Sequence, residues 1–220
     1  MPEVIVITEG QTEEFFIKQL VAPSLRHLNI NIKPENLRGS VSFDRIKLYA
    51  RNTLRGNSRV VVSTFIDLYA LDTSFPAFAE AKKLSDVYAR LVYMEKAFHS
   101  AIIEEVGCRP ERFLPYIQPY EYEGLLFSDV CALSTVEPTW DKSLKQLNKV
   151  CESFASPEHI NDGFDTKPSK RLENLLSPEY KKTRHGPLIA KQITLEVIEQ
   201  KCVHFREWME SLRRLSQAGY

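Results

Sequence analysis

Hydrophobic positions in the first 128 residues alternate between short unbroken runs and stripes at helical spacing. Val4, Ile5, Val6 and Ile7 form one unbroken run, which suits a parallel strand covered on both faces. Phe16, Ile17, Leu20 and Val21 then put an apolar stripe on a helix running toward His27, with Pro23 predicting a kink or an early end. An edge strand is expected near Asn29 to Pro34 and a helix over Phe43 to Leu54. Arg59 to Asp67 (RVVVSTFID) is a second strong strand. A long helix is expected from about Ala77 to Val106, with Leu91, Phe98 and Ile102 inward. Arg112 to Gln118, bounded by Pro110 and Pro119, completes the alternation as a third strand. Such alternation argues for an α/β fold with a mostly parallel central sheet flanked by helices.

Beyond Ser128 the texture is helical, with helices expected over Asp141 to Phe154 and Pro168 to Leu176 and a polar loop between them. Gly186-Pro187 is expected to open another helix, with proline near its first position. Phe205, Trp208, Met209 and Leu212 recur at helical spacing and are read as core. The expectation is one domain over residues 1–220, an α/β core to 128 and a mainly helical continuation over 129–220.

Composition narrows the function little. Lys and Arg number 29, as do Asp and Glu, so no global field favours nucleic acid or membrane. No segment approaches a membrane span in length, and a strand at the very start gives no sign of an export leader. Cys108, Cys131, Cys151 and Cys202 form no CxxC pair, so reduced thiols of a cytoplasmic protein are expected and a zinc site is not.

Candidate chemistry lies in acids at strand ends. Glu9 follows the first strand and precedes Gly10, which is expected to make a tight turn; Glu13 and Glu14 fall in the first turn of the next helix. Asp67 ends the second strong strand, and Glu121 and Glu123 follow the third in PYEYEGLLFSD. Ligands of open α/β sheets bind beyond the carboxyl ends of the strands. Carboxylates gathered there suit Mg²⁺ or Mn²⁺, which are held by one or two acids together with water and phosphate oxygens. Capping explains Glu13 and Glu14 equally well, and Asp72 reads as an ordinary loop acid. Glu121 and Glu123 share a face only if their segment is extended; a helix beginning at Tyr122 makes them diverge and favours Glu123.

Between Lys167 and Lys191 there are seven basic residues and two acidic ones. Lys167, Lys170, Arg171, Lys181, Lys182, Arg184 and Lys191 are the local candidates for phosphate contact, although a solvated helix face would look the same. His185, beside Gly186, either touches substrate or is structural; His204 reads as core or surface. No GxxxxGK[ST] segment is present, so ATP hydrolysis is not expected of this chain.

TEGQTEEFF, VVSTFIDLYAL with its following FP, PYEYEGLLFSD, KPSKRLENLL, HGPLIA and CVHFREWMESL together resemble the family named domain of unknown function 4276, which is Toprim-related. The resemblance runs from the first strand to the last helix and extends to the nuclease halves of overcoming-lysogenization-defect proteins. It implies a Toprim-like fold and Mg²⁺-dependent phosphodiester chemistry on DNA or RNA. It also implies an ABC-type or AAA-like ATPase partner acting in bacterial defence against phage or foreign DNA, and self-association stays open. By the resemblance, Glu9 matches the Toprim glutamate, a base or metal ligand, and Glu13 the second acid of the nuclease relatives' EGxTE. Asp67 matches the first acid of DxD, whose second position here is Tyr69; Glu123, with Glu121, would have to supply the missing charge. Lys170 is implied as a catalytic cation at the scissile phosphate. Against this nuclease reading stand a catalytically inert Toprim-like subunit that regulates the ATPase, and a primase-like nucleotidyl transferase.

Overall fold

A computed structural model describes residues 2–38, 41–161 and 163–217. The chain divides into two compact units, one made of residues 1–118 and 208–220, the other of residues 119–207.

The first unit is built on a parallel sheet. Strand β1 (Glu3–Thr8) leads into α1 (Gln11–Phe16), a π-helical turn over Ile17–Val21, and α2 (Ala22–Leu25). Proline lacks an N–H and its ring crowds the carbonyl four residues back. Here the kink expected at Pro23 is taken up one turn earlier, where Ala22 N–H bonds to Ile17 C=O in the wider π pattern. Strand β2 (Asn31–Asn36), helix α3 (Phe43–Gly56) and strand β3 (Val60–Asp67) follow. All eight residues of β3 are buried, Ser63, Thr64 and Asp67 together with the apolar ones, as in a strand covered on both faces.

The long helix expected from Ala77 is two. α4 (Phe78–Ala81) stops, and α5 (Val87–Val106) starts afresh because the Asp86 carboxylate accepts the Ala89 N–H at 2.7 Å. That N-cap offers the backbone a better partner than a continued helix. The third strand is likewise two short pieces, β4 (Phe113–Leu114) and β5 (Ile117–Gln118), both parallel to β3. Pro115 lies between them and has no N–H for the ladder. The Thr64 hydroxyl bridges the gap, accepting the Tyr116 N–H and donating to the Tyr116 carbonyl, each at 2.9 Å. Strand order is β2-β1-β3-β4, with β5 on β3, and every pairing is parallel. Phe16, Phe65, Tyr116 and Trp208 pack together, the last two stacked at 4.9 Å, and Trp208 donates to Ser63 Oγ at 2.9 Å.

In the second unit a 3₁₀ segment, Tyr122–Ser128, precedes α6 (Cys131–Val136), α7 (Leu144–Glu152), α8 (Pro168–Leu175), α9 (Lys182–Ile193) and α10 (Leu195–Lys201). Helix α11 (Val203–Arg214) begins in this unit, and its residues from Trp208 on belong to the first. Glu158, fully buried, accepts the N–H groups of His204 and Phe205 at 3.0 Å and so satisfies donors at the start of α11. His204 is buried there. Helix α9 opens at Lys182, four residues before the expected Gly186, and Pro187 lies inside it. The His185 ring explains the early start: its Nδ1 accepts the Lys181 N–H at 2.9 Å and closes the first turn. The mostly parallel, helix-flanked sheet and the helical C-terminal part are those expected from the sequence.

Candidate metal and phosphodiester site

Strands β1 and β3 are parallel neighbours with Thr8 level with Phe65. Glu9 directly follows β1, and Asp67 is the last residue of β3. Adjacent strands lie ~4.8 Å apart, so the sheet delivers two carboxylates to neighbouring strand ends on the side where parallel sheets bind ligands. Asp67 is 4% exposed, and on its other side β5 sets Gln118 directly opposite it. The Gln118 side chain is buried, its Oε1 accepting the Tyr116 hydroxyl at 2.7 Å.

Glu13 stands in the first turn of α1, 2% exposed, with Oε2 accepting the Gly10 N–H at 3.1 Å. Gly10 has φ −145°, extended backbone open to any residue, so the tight turn expected there is not the reason for glycine. The reason is close approach: a Cβ at Gly10 would sit 3.2 Å from Glu13 Oε2. The capping role therefore holds for Glu13. Glu14 accepts from Asn36 Nδ2 at 2.9 Å. Asp72 closes an Asx turn with the Ser74 N–H at 2.8 Å, and the Ser74 hydrogen bonds hold its carboxyl below the usual range. It is the ordinary loop acid expected.

In the second unit the 3₁₀ segment does begin at Tyr122, the case in which Glu121 and Glu123 diverge. Glu121 accepts Lys167 Nζ at 2.6 Å and the Ser169 N–H, at the start of α8, at 3.0 Å. Burial opposes its ionisation, but these hydrogen bonds and the Lys167 charge prevail and hold the carboxyl below its usual range. Glu123 is fully buried, with the Tyr180 hydroxyl on Oε1 at 3.3 Å and Lys182 Nζ 3.2 Å from Oε2.

Those partners come from the basic segment, which sequence reading treats as a phosphate-binding surface. Lys167 pairs with Glu121, Lys182 with Glu123 and Lys170 with Glu173, the last at 2.5 Å. The Glu173 carboxylate raises the Lys170 pKa. Arg171 donates to the Thr166 carbonyl and lies over the Phe154 ring. Lys181, Arg184 and Lys191 are exposed. His185 is 7% exposed, edge-on to Trp140 at 4.9 Å. Burial, then the Arg184 charge, pushes its pKa down, and with Nδ1 accepting a backbone N–H the neutral ring is the form that fits.

Among the described residues, no three His, Cys, Asp or Glu side chains gather closely enough to hold a metal ion. Magnesium needs fewer: one or two carboxylates, the remaining positions going to water and phosphate. Glu9 and Asp67 meet that demand in donor chemistry. Among the described residues, a cage built from protein side chains alone is not formed.

Sequence reasoning missed Arg112. It is 6% exposed and donates to the carbonyls of Leu54, Asn57 and Val60, pinning the turn that feeds β3. The signal was an arginine at the foot of an otherwise apolar strand.

An α/β domain with carboxylates at the ends of adjacent parallel strands is the class that fold and site define. The chain belongs to the family described as domain of unknown function DUF4276, whose model matches residues 8–213. A search of curated proteins finds no match. Among solved structures the chain is similar to the C-terminal region of the Burkholderia pseudomallei OLD protein, at 15% identity and a TM-score of 0.49, over 97% of this chain and 98% of that one. It is also similar to the C-terminal region of the Xanthomonas campestris pv. campestris OLD protein, at 13% identity and a TM-score of 0.48, over 98% and 94%. Neither likeness assigns an activity or a residue to this chain. Among the described residues, no helix is long and apolar enough to cross a membrane.

Proposed function

We propose that this protein is a metal-dependent nuclease that hydrolyses phosphodiester bonds in DNA or RNA. The observation that carries the reading is the delivery of Glu9 and Asp67 to the carboxyl ends of neighbouring parallel strands. Glu13 accepts the N–H of Gly10, the residue after Glu9. Glu9 and Asp67 would hold Mg²⁺ or Mn²⁺, which supplies an activated water and neutralises phosphate charge. Glu13 keeps the β1–α1 turn closed, so that Glu9 is presented from a fixed backbone. Within the second unit Glu121 and Glu123 are paired with Lys167 and Lys182, and Lys170 with Glu173. A cytoplasmic setting, an ATPase partner and a role in bacterial antiviral defence extend the reading on the strength of the family resemblance.

A second reading has its own support. Tyr69 stands where the resemblance calls for a second acid, and Glu121 and Glu123 are engaged by cations. That suits a Toprim-like subunit that regulates the ATPase without cutting. Incubation of plasmid, single-stranded DNA and total tRNA with Mg²⁺ or Mn²⁺, with and without the ATPase, separates the two. Cleavage that Glu9→Gln and Asp67→Asn both abolish is expected; ATPase binding with no cleavage in any mixture would leave the regulatory reading.

A further inference from the structure

Immediately beyond Asp67, the first unit holds a pocket of about 190 Å³. Leu68 and Tyr69, which follow Asp67 in the chain, line it, and Leu71, Phe78 and Met94 supply further apolar and aromatic surface. Two cations also line it. Lys82 is exposed at the rim. Arg90 donates Nη2 to the Leu84 carbonyl at 2.9 Å, but its Nε is buried with no hydrogen-bond partner among the described residues. A buried guanidinium N–H without an acceptor is costly and points to a ligand oxygen or nitrogen.

Size and lining restrict the occupant. Drug-sized ligands fill about 300–1,000 Å³, so this pocket takes one flat ring system with a single polar edge. An apolar peptide side chain would leave Arg90 Nε unsatisfied and make no use of Lys82. A base in a duplex is stacked on both faces and does not present itself to such a pocket. Tyr69, 44% exposed, offers a ring face one residue past Leu68.

We propose that this pocket receives one unpaired nucleobase of the substrate, stacked against Tyr69, with the adjoining phosphate on Arg90 and Lys82. The proposal rests on the nuclease reading and narrows its substrate class to single-stranded or locally unpaired nucleic acid. It also gives the departure from DxD at Tyr69 a purpose: the second acid is exchanged for a stacking surface beside the scissile position.

The test is binding, in EDTA, of a 5′-fluorescein hexanucleotide whose only base is one 2-aminopurine, the other positions abasic, against the wholly abasic oligomer, both followed by anisotropy and the first also by quenching of 2-aminopurine. Base–aromatic stacking contributes enough per base for a loss of roughly 5- to 150-fold on its removal. The wild-type chain is expected to prefer the oligomer with the base by a factor in that range. Tyr69→Ala should erase the preference and the quenching, Tyr69→Phe should retain both, and Arg90→Met should weaken the two oligomers alike. Equal binding of the two oligomers by wild type, or a preference untouched by Tyr69→Ala, would overturn the proposal. So would loss of ATPase binding in Tyr69→Ala with oligonucleotide binding unchanged, which would make the pocket a peptide site. A parallel Mg²⁺ cleavage assay keeps the two readings apart. Cutting without base preference refutes the pocket alone, and base preference without cutting refutes the nuclease reading alone.

Discussion

Replacing Arg112 with Met removes a guanidinium that binds three backbone carbonyls and leaves a side chain of similar length. Nε and Nη2 both reach Val60 C=O, at 3.0 and 2.9 Å; Nη1 reaches Leu54 C=O at 3.0 Å, and Nη2 also contacts Asn57 C=O. A hydrogen bond from a charged donor contributes ~1.5–3 kcal/mol, and a buried group left unsatisfied costs ~1–3 kcal/mol. The bonds share one side chain and are not additive, and removing the buried charge recovers part of the loss. The net cost expected is therefore about 3–5 kcal/mol. For a chain of this size each kcal/mol moves the midpoint by ~2–4 °C, so the first unit should melt roughly 6–20 °C lower. Trp208 belongs to the first unit and Trp140 to the second, so a Trp140→Phe background makes fluorescence report the first alone. Arg112→Lys should fall between, since one ammonium cannot reach all three carbonyls. A shift below about 2 °C in Arg112→Met would refute the claim that this side chain holds the start of β3, and with it the placement of Asp67.

Other expectations follow from the same contacts. Gly10→Ala should cost no more than about 1 kcal/mol, because the backbone is extended, yet lower any cleavage by displacing Glu13; an unchanged rate would show that Glu13 needs no fixed position. Glu121→Gln should destabilise the second unit at neutral pH by ~1–3 kcal/mol in a urea titration. Its folded pKa is lowered, so the ion pair's contribution is complete above the ordinary value of 4.5, lost as pH falls through the folded value, and absent from Glu121→Gln at any pH. His185 also has a lowered pKa, so its neutral ring supports the fold fully above the usual 6.5 and progressively less below it. Trp140 fluorescence in denaturant should show the second unit weakening between pH 7 and 5, and His185→Gln should flatten that slope.

Much of the sheet was legible because buried parallel strands write themselves as apolar or nearly apolar runs, as Val4–Ile7 and Arg59–Asp67 do. The breaks were not, because side chains distant in sequence or small in signal decide them. Asp86 restarts a helix that alanine-rich periodicity would continue, and Thr64 repairs a strand that Pro115 interrupts. The acids at the ends of β1 and β3 could be placed from sequence, since strand termini follow from the same runs. The partners of Glu121, Glu123 and Lys170 could not. Their pairing depends on how α8 and α9 fold back on the Tyr122–Ser128 segment, which charge counting along Lys167–Lys191 does not encode.

The central claim is that Glu9 and Asp67 bind the metal that acts on phosphate. Its most direct test is Mn²⁺ binding followed by electron paramagnetic resonance, with a phosphorothioate single-stranded oligonucleotide present. Outer-shell partners of a metal site already contribute ~10–100-fold to affinity, so direct ligands should contribute at least tenfold. Glu9→Gln and Asp67→Asn should each weaken Mn²⁺ binding by that factor, while Glu173→Gln leaves it unchanged. Mn²⁺ binding that neither substitution at the strand ends alters would contradict the account.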